Sequence, residues 1–165
     1  MAYYSTEPRI VEQDINENST TQSHPLGTVI RAKDSTYGEG EFIYLQGIGS
    51  TVVGSIVEYN NAYVTALATI ALERPVPLAV AMSACVASEY GWYQISGEAV
   101  MVKASTVSFA ADALVGAGSG LAIAVVTGLV IQGALVSVVA SATSGGTSVR
   151  VMMDRPHATD KIDET

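Results

Sequence analysis

Few residues of this chain could carry catalysis: two histidines, one cysteine and scattered carboxylates. His24 and His157 lie near the two ends of the chain, in segments whose composition predicts arms. A Ser/His/Asp or Cys/His site needs its histidine held rigidly against a nucleophile, and a flexible arm cannot do that. Cys85 has no second cysteine for a disulfide and no Cys/His cluster for zinc, so it is interpreted as a small buried thiol. The sequence predicts no enzyme, no cofactor and no metal site.

Two other patterns resemble catalytic or nucleotide-binding motifs. Glu39 and Glu41 fall on one face of a predicted strand, and a carboxylate pair can serve glycoside hydrolysis. A solvated strand face explains the same spacing. The glycines of residues 116–120 resemble a nucleotide-binding loop, but that fingerprint needs a strand before it and a helix after it. A Val-rich, strand-like run follows instead, so a flexible turn is predicted there.

The one aromatic cluster is Tyr90-Gly91-Trp92-Tyr93. Aromatic platforms can stack sugars, so a carbohydrate-binding module that uses Tyr90, Trp92 and Tyr93 is the alternative function. In an alternating strand Trp92 would face the core and Tyr93 the outside. We therefore expect Trp92 to be largely buried, in the core or at a subunit interface.

The charge of the chain argues against nucleic-acid partners. Eight basic residues stand against sixteen acidic ones, which gives a formal net charge of −8. The few Lys and Arg residues are scattered, whereas contact with a phosphate backbone needs them clustered. Charged residues make up only 15% of the chain, against about 25% in typical domains. Much of the surface must therefore be uncharged or buried against partners.

Residues 1–25 form a polar, acidic segment that is rich in Asn, Ser, Thr and Gln. It shows neither helical nor strand periodicity, so it is predicted to be an extended arm that orders only where it meets a partner. It also lacks the basic region and apolar run of a signal peptide, and synthesis in a reducing host cytoplasm is expected. The apolar residues along it, which are its candidate partner-binding residues, are Tyr3, Tyr4, Ile10, Val11 and Ile15.

Residues 26–156 contain many short β-rich runs separated by turn residues. Strands spaced by about 8–12 residues are typical of an antiparallel β-sandwich or barrel, which is the predicted fold. Ser96-Gly97 is predicted to be a two-residue hairpin turn. Short helices could fit at Ser83–Glu89 or Ser108–Val115. Arg155-Pro156 is predicted to end the closing strand, and a flexible charged tail, residues 157–165, follows.

The run at residues 121–140 contains twenty residues without a charge, enough to cross a bilayer as a helix. Gly128 and Gly133 interrupt it, Val and Ile favour strands, and no Lys/Arg cluster flanks either end. We expect β structure with breaks near the two glycines. A membrane-anchored protein that uses residues 121–140 is the second alternative function.

Several stretches together resemble a family of tailed-phage and prophage head proteins. The likeness is strongest at Tyr90–Gly97 and covers roughly residues 26–103 and 147–156, whereas residues 104–146 are more apolar than the family pattern. It implies a capsid decoration (cement) protein: β-rich, commonly trimeric, and bound to the outer surface of the capsid. The stretches that carry the likeness are Leu26–Asp34, Tyr37–Leu45, Val52–Val57, Arg74–Met82, Tyr90–Gly97 and, weakly, Val149–Pro156.

The residues and the resemblance together predict a homotrimeric cement protein on the exterior of the virion. Its β core would supply the trimer contacts, and residues 1–25 would reach over neighbouring subunits of the major capsid protein. Many modest contacts repeated around a symmetric site give high avidity without any chemistry. Neither nucleic acid nor membrane is an expected partner.

Overall fold

The computed structural model describes residues 4–5, 13–69, 76–125, 130–138 and 147–159. Within these ranges the regular structure is entirely β, which confirms the predicted fold class. The twelve strands are β1 (Tyr4–Ser5), β2 (Asn18–Ser19), β3 (Val29–Asp34), β4 (Gly38–Gln46), β5 (Ile56–Tyr59), β6 (Thr65–Leu67), β7 (Leu78–Ala81), β8 (Tyr90–Val102), β9 (Gly116–Gly118), β10 (Leu121–Ile123), β11 (Val130–Val138) and β12 (Ser148–Thr159).

The centre of the fold is a closed barrel of five strands in the order β4, β8, β7, β5, β6, with antiparallel neighbours. A parallel bridge between Gln46 and Val64 brings β6 back to β4 and closes the circle. The Gln46 amide donates to the Tyr63 carbonyl at 3.0 Å, and the Thr65 hydroxyl donates to the Gln46 carbonyl at 3.1 Å. The apolar residues that fill the interior are Ile43, Leu45, Val57, Ala79, Ala81, Cys85, Tyr93 and Ile95.

Two layers cover the outside of the barrel. Strand β3 and residues 13–26 cover β4 and the first half of β8, where they bury Trp92 in an aromatic-rich cluster. Strands β11 and β12, the second half of β8 and the β9–β10 hairpin cover β5 and β7. Because side chains alternate between the faces of a strand, a strand covered on both faces buries every residue. The burial of all four residues of β7 follows from this arrangement.

Strand β8 runs for thirteen residues through Ser96-Gly97, so the predicted hairpin turn is wrong. Gly97 has φ +93, and a Cβ there would overlap the Glu39 carbonyl. The strand bends at this glycine instead of reversing. Its first half pairs with β4 and β7, while its second half pairs with β12. The turn residues therefore mark the point where β8 changes partners.

The predicted short helices at Ser83–Glu89 and Ser108–Val115 are also absent, and both segments are built from turns, bends and isolated bridges. Ser88 and Asp112 have positive φ values of 67° and 59°, which interrupt any right-handed helix. Asp112 is also tied to the sheet, because its amide donates to the Val136 carbonyl at 2.8 Å.

The described parts of the uncharged run, 121–125 and 130–138, contain β10 and β11, which confirms the predicted β structure there. The expected break at Gly133 is a register shift between β11 and β12, while Gly128 lies outside the described residues. No described segment is a helix of the length and hydropathy that a membrane crossing requires. The predicted flexible turn at residues 116–120 is mostly strand: Gly116–Gly118 is buried and pairs with β10, and only the following two residues turn.

The closing strand is longer than predicted. Arg155-Pro156 does not end it, because β12 continues to Thr159 and His157 pairs with Gln132 of β11. The chain accommodates the proline in a bulge, where a ladder hydrogen bond is not needed. Residues 157–159 thus belong to the sheet, and residues 160–165 lie outside the described part of the chain.

Candidate functional site

Two of the five predicted partner-binding residues of the N-terminal arm, Tyr4 and Ile15, lie in the described part of the chain. Ile15 is only 3% exposed and packs in the same cluster as Trp92, so it is a core residue and cannot anchor a partner. The backbone of Tyr4 pairs with Lys33 in the β1–β3 ladder. Tyr3, Ile10 and Val11 lie outside the described residues. Residues 13–25 are thus part of the folded domain, which the sequence did not predict.

Gln13 fastens this segment to the barrel. Its side-chain amide donates to the carbonyls of Glu17 at 2.8 Å and Tyr90 at 2.9 Å, and its side-chain oxygen accepts from the Tyr44 hydroxyl at 2.6 Å. The Trp92 indole N–H donates to the Gln13 carbonyl at 3.0 Å. These bonds satisfy buried polar groups that would otherwise be costly. No sequence signal marks Gln13, because one glutamine in a polar segment looks like any other.

The aromatic cluster offers no platform for a sugar. Trp92 and Tyr93 are both 0% exposed, since the N-terminal layer covers one face of β8 and the barrel interior receives the other. Burial of Trp92 confirms the prediction, whereas the expected outward position of Tyr93 is wrong. Tyr90 is half-buried and stacked on Tyr44. A stacking site needs an exposed ring face, so Tyr90, Trp92 and Tyr93 cannot form the predicted carbohydrate site together.

Of the two carboxylates on β4, Glu41 connects neighbouring strands. Glu41 accepts hydrogen bonds from Arg31 at 3.0 Å and from Arg155 at 2.7 Å, and it thereby ties β3 and β12 to β4. Glu39 is exposed beside it. Among the described residues, no group of three His, Cys, Asp or Glu side chains is placed to hold a metal ion.

The most unusual surface is a row of exposed apolar side chains on β11, β12 and the segment before β9. Leu114 forms a bridge with Leu135, and Leu135 pairs with Met152, so the three side chains lie side by side. Their exposed fractions are 42%, 45% and 52%. Exposed apolar residues are normal when scattered, but a contiguous group marks an interaction site. We call these three residues the apolar row.

Two charged residues beside the row, Glu98 and Arg150, neutralise one another, whereas Asp154 lies exposed at the end of the row. Glu98 of β8 is the cross-strand partner of Met152, and it accepts hydrogen bonds from Arg150 at 2.5 Å and from Ser137 at 2.6 Å. Partial burial would raise the pKa of the Glu98 carboxyl, but the bonds from Ser137 and Arg150 outweigh it and hold that pKa below its usual value. The Arg150 guanidinium also lies 5.1 Å from the centre of the Tyr37 ring. The apolar row and this neutral network together form what we call the outer face.

A pocket of about 350 Å³ opens on the outer face next to the apolar row. It is lined by all three residues of the row, by Gly133 and by Asp154. The pocket sits where β12 bulges opposite Gly133. An apolar side chain of a partner fits such a recess, which is the usual geometry of an interface hot spot.

Comparison of the chain with protein-family models, with curated proteins and with solved structures finds no match. The outer face is thus the feature from which a function can be argued. It carries apolar contact area on a rigid sheet, together with the Met and Arg residues that protein interfaces favour.

Proposed function

We propose that this chain is a non-enzymatic assembly protein of the virion, a capsid decoration (cement) protein. In this proposal it forms a homotrimer, binds the outer surface of the major capsid protein lattice and stabilises the head. It is made in the host cytoplasm and functions on the capsid exterior. The observation that carries the proposal is the apolar row, Leu114, Leu135 and Met152, exposed side by side on a folded β domain.

The energetics of the apolar row favour a protein partner. Burial of apolar surface contributes roughly 25 cal/mol per Å², and each of the three side chains still exposes two fifths or more of its area. Leu135 and Met152 lie on paired strands and Leu114 is held beside them by a backbone bridge, so little conformational entropy is lost when a partner covers the row. The pattern of an all-β domain with an exposed apolar face agrees with the resemblance to phage head proteins.

The charge distribution favours a second copy of the chain as the partner on this face. Each copy carries a formal charge of −8, so two copies repel one another over most of their surfaces. On the outer face, Glu98 and Arg150 pair within one chain. In a contact between copies, Glu98 and Arg150 therefore add no net charge, and the like charge that meets on this face is that of Asp154 at the pocket. A trimer would then present identical surfaces repeatedly to the capsid lattice, which raises avidity.

The prediction for the outer face concerns Leu135→Asp and, separately, Met152→Asp. Either change would place an unpaired carboxylate inside the contact, which costs several kcal/mol, or about a hundredfold or more in the association constant. We expect the wild-type chain to have the mass of a trimer by light scattering and both variants to have the mass of a monomer with an unchanged β-sheet circular dichroism spectrum. Their unfolding temperature should fall to a value that no longer depends on protein concentration, because association stabilises the folded state.

Val29→Asp is the matched control, because Val29 is 41% exposed but lies on β3, away from the apolar row. This variant should keep the wild-type mass. A wild-type chain that is monomeric at high concentration, or Asp variants that keep the trimer mass, would contradict the proposed contact. For the capsid role, the chain should copurify with intact virions in a fixed ratio to the coat protein, and its absence from purified particles would refute that role.

A further inference from the structure

A second pocket, of about 360 Å³, opens at the end of the barrel where β5, β7 and β12 meet. Its wall is apolar and includes Val76, Leu78 and Ile95. Ile95 belongs to the buried cluster inside the barrel, so the pocket lies at the barrel mouth. Barrel mouths are common positions for small-molecule sites.

The rim of this pocket is polar and carries Tyr59, Arg155 and His157. Burial raises the pKa of the Tyr59 hydroxyl, and the positive charge of nearby Arg155 opposes part of that rise. The hydroxyl is therefore a neutral donor at physiological pH. A guanidinium, a phenol and an imidazole thus surround the opening above an apolar wall.

A backbone irregularity brings Arg155 to this rim. The three residues Asp154–Pro156 of β12 face the single residue Gly133 of β11, because Gln132 pairs with His157 and Ala134 pairs with Met153. Gly133 has φ +75, and a Cβ there would lie 2.5 Å from the Asp154 carbonyl oxygen. The bulge therefore depends on glycine at this position. Bulges of this kind re-aim side chains and are frequent beside functional sites.

Arg155 itself adopts a left-handed conformation, with φ 43°. A non-glycine residue is rarely held there unless the surrounding structure imposes it, and such residues cluster at ligand sites. Its Nη2 donates to Glu41 at 2.7 Å, which fixes the guanidinium while the side chain stays 65% exposed. A guanidinium has five N–H donors in a planar fork that matches a carboxylate.

We propose that the barrel mouth binds a small organic acid, a monocarboxylate attached to a compact apolar body. The apolar wall would contact the apolar body of the ligand. The Arg155 guanidinium and the Tyr59 hydroxyl would donate hydrogen bonds to its carboxylate. A pocket of this volume is within the range of small-molecule sites and suits a ligand of the size of an arylacetic acid. This site is separate from the apolar row and does not depend on the proposed assembly role.

The test is a titration of the full-length protein with phenylacetate, followed by amide chemical shifts. Two matched compounds separate the parts of the ligand: phenylacetamide lacks the charge, and acetate lacks the apolar body. We expect saturable shifts at Tyr59, Ile95 and His157 with phenylacetate, and affinities at least about tenfold weaker with either matched compound. Absence of saturable binding, or equal binding of phenylacetate and phenylacetamide, would overturn the proposal.

Two arginine variants localise the site, because Arg31 and Arg155 both pair with Glu41 and only Arg155 lines this pocket. Arg155→Gln should weaken phenylacetate binding at least about tenfold, whereas Arg31→Gln should leave it unchanged. Arg155→Gly controls for backbone strain, because glycine adopts the left-handed conformation of residue 155 without cost. This variant should also bind phenylacetate at least about tenfold more weakly. Equal effects of Arg31→Gln and Arg155→Gln would mean that the ligand binds elsewhere.

Discussion

Removal of residues 1–20 is expected to destabilise the protein by at least about 4 kcal/mol, whereas removal of residues 1–12 leaves the barrel folded. The longer deletion removes Ile15, whose buried side chain contributes about 2–5 kcal/mol by analogy with Ile→Ala changes. It also removes the hydrogen bonds of Gln13, each of which contributes about 1 kcal/mol. Urea unfolding of the two truncated chains measures the difference directly.

Gln13→Ala in the full-length chain separates the two contributions. It keeps Ile15 but leaves the buried Tyr44 hydroxyl without its bond to the Gln13 side chain, so a loss of about 1–3 kcal/mol is expected. Equal unfolding midpoints for the two truncated chains would show that residues 13–20 only rest on the barrel. In that case they would be available as an arm for a partner, as the sequence predicts.

Trp92→Ala is expected to cost about 3–5 kcal/mol, a large part of the stability of a typical domain. The indole is fully buried, its ring centre lies 4.9 Å from that of Tyr44 and 5.1 Å from that of His24, and its N–H donates to Gln13. Its removal leaves a cavity between the barrel and the N-terminal layer. Urea unfolding measures the loss.

Val86→Ala is the control for this substitution, because Val86 is 52% exposed and its change should alter stability by no more than about 0.5 kcal/mol. Trp92 is the single tryptophan, so intrinsic fluorescence also reports on its environment. The native emission should be shifted to the blue of the unfolded emission. Identical emission from native and unfolded protein would contradict burial of Trp92.

The sequence predicts the fold class and several strands because these depend on local signals. The predicted strand that carries Glu39 and Glu41 is β4, and the aromatic residues around Trp92 lie in the central strand β8. The prediction failed at Ser96-Gly97, where the local residues fit a turn. The second half of β8 pairs with β12, about fifty residues later in the chain, and no local pattern reports that pairing.

The packing of residues 13–25 on the barrel is not predicted by the sequence either, because it depends on contacts with distant strands. Burial is predicted from apolar residues, but Gln13 is buried through hydrogen bonds and Ile15 is a single apolar residue in a polar stretch. The sequence also does not predict the outer face. Leu135 and Met152 become neighbours only when β11 pairs with β12, and Leu114 joins them through an isolated bridge. Their residue types are those of a core, and only the structure shows that they are exposed.

Oxidative footprinting of Met152 tests most directly whether the protein functions by docking through its outer face. Met152 is 52% exposed and should be oxidised readily in the monomeric Leu135→Asp variant, whereas the buried Met101 and Met153 should react little in any form. Tyr63, which is 37% exposed and outside the outer face, is the accessible reference. In the assembled wild-type protein, oxidation of Met152 should fall several-fold while that of Tyr63 stays the same. Equal oxidation of Met152 in the assembled and monomeric forms would contradict the account.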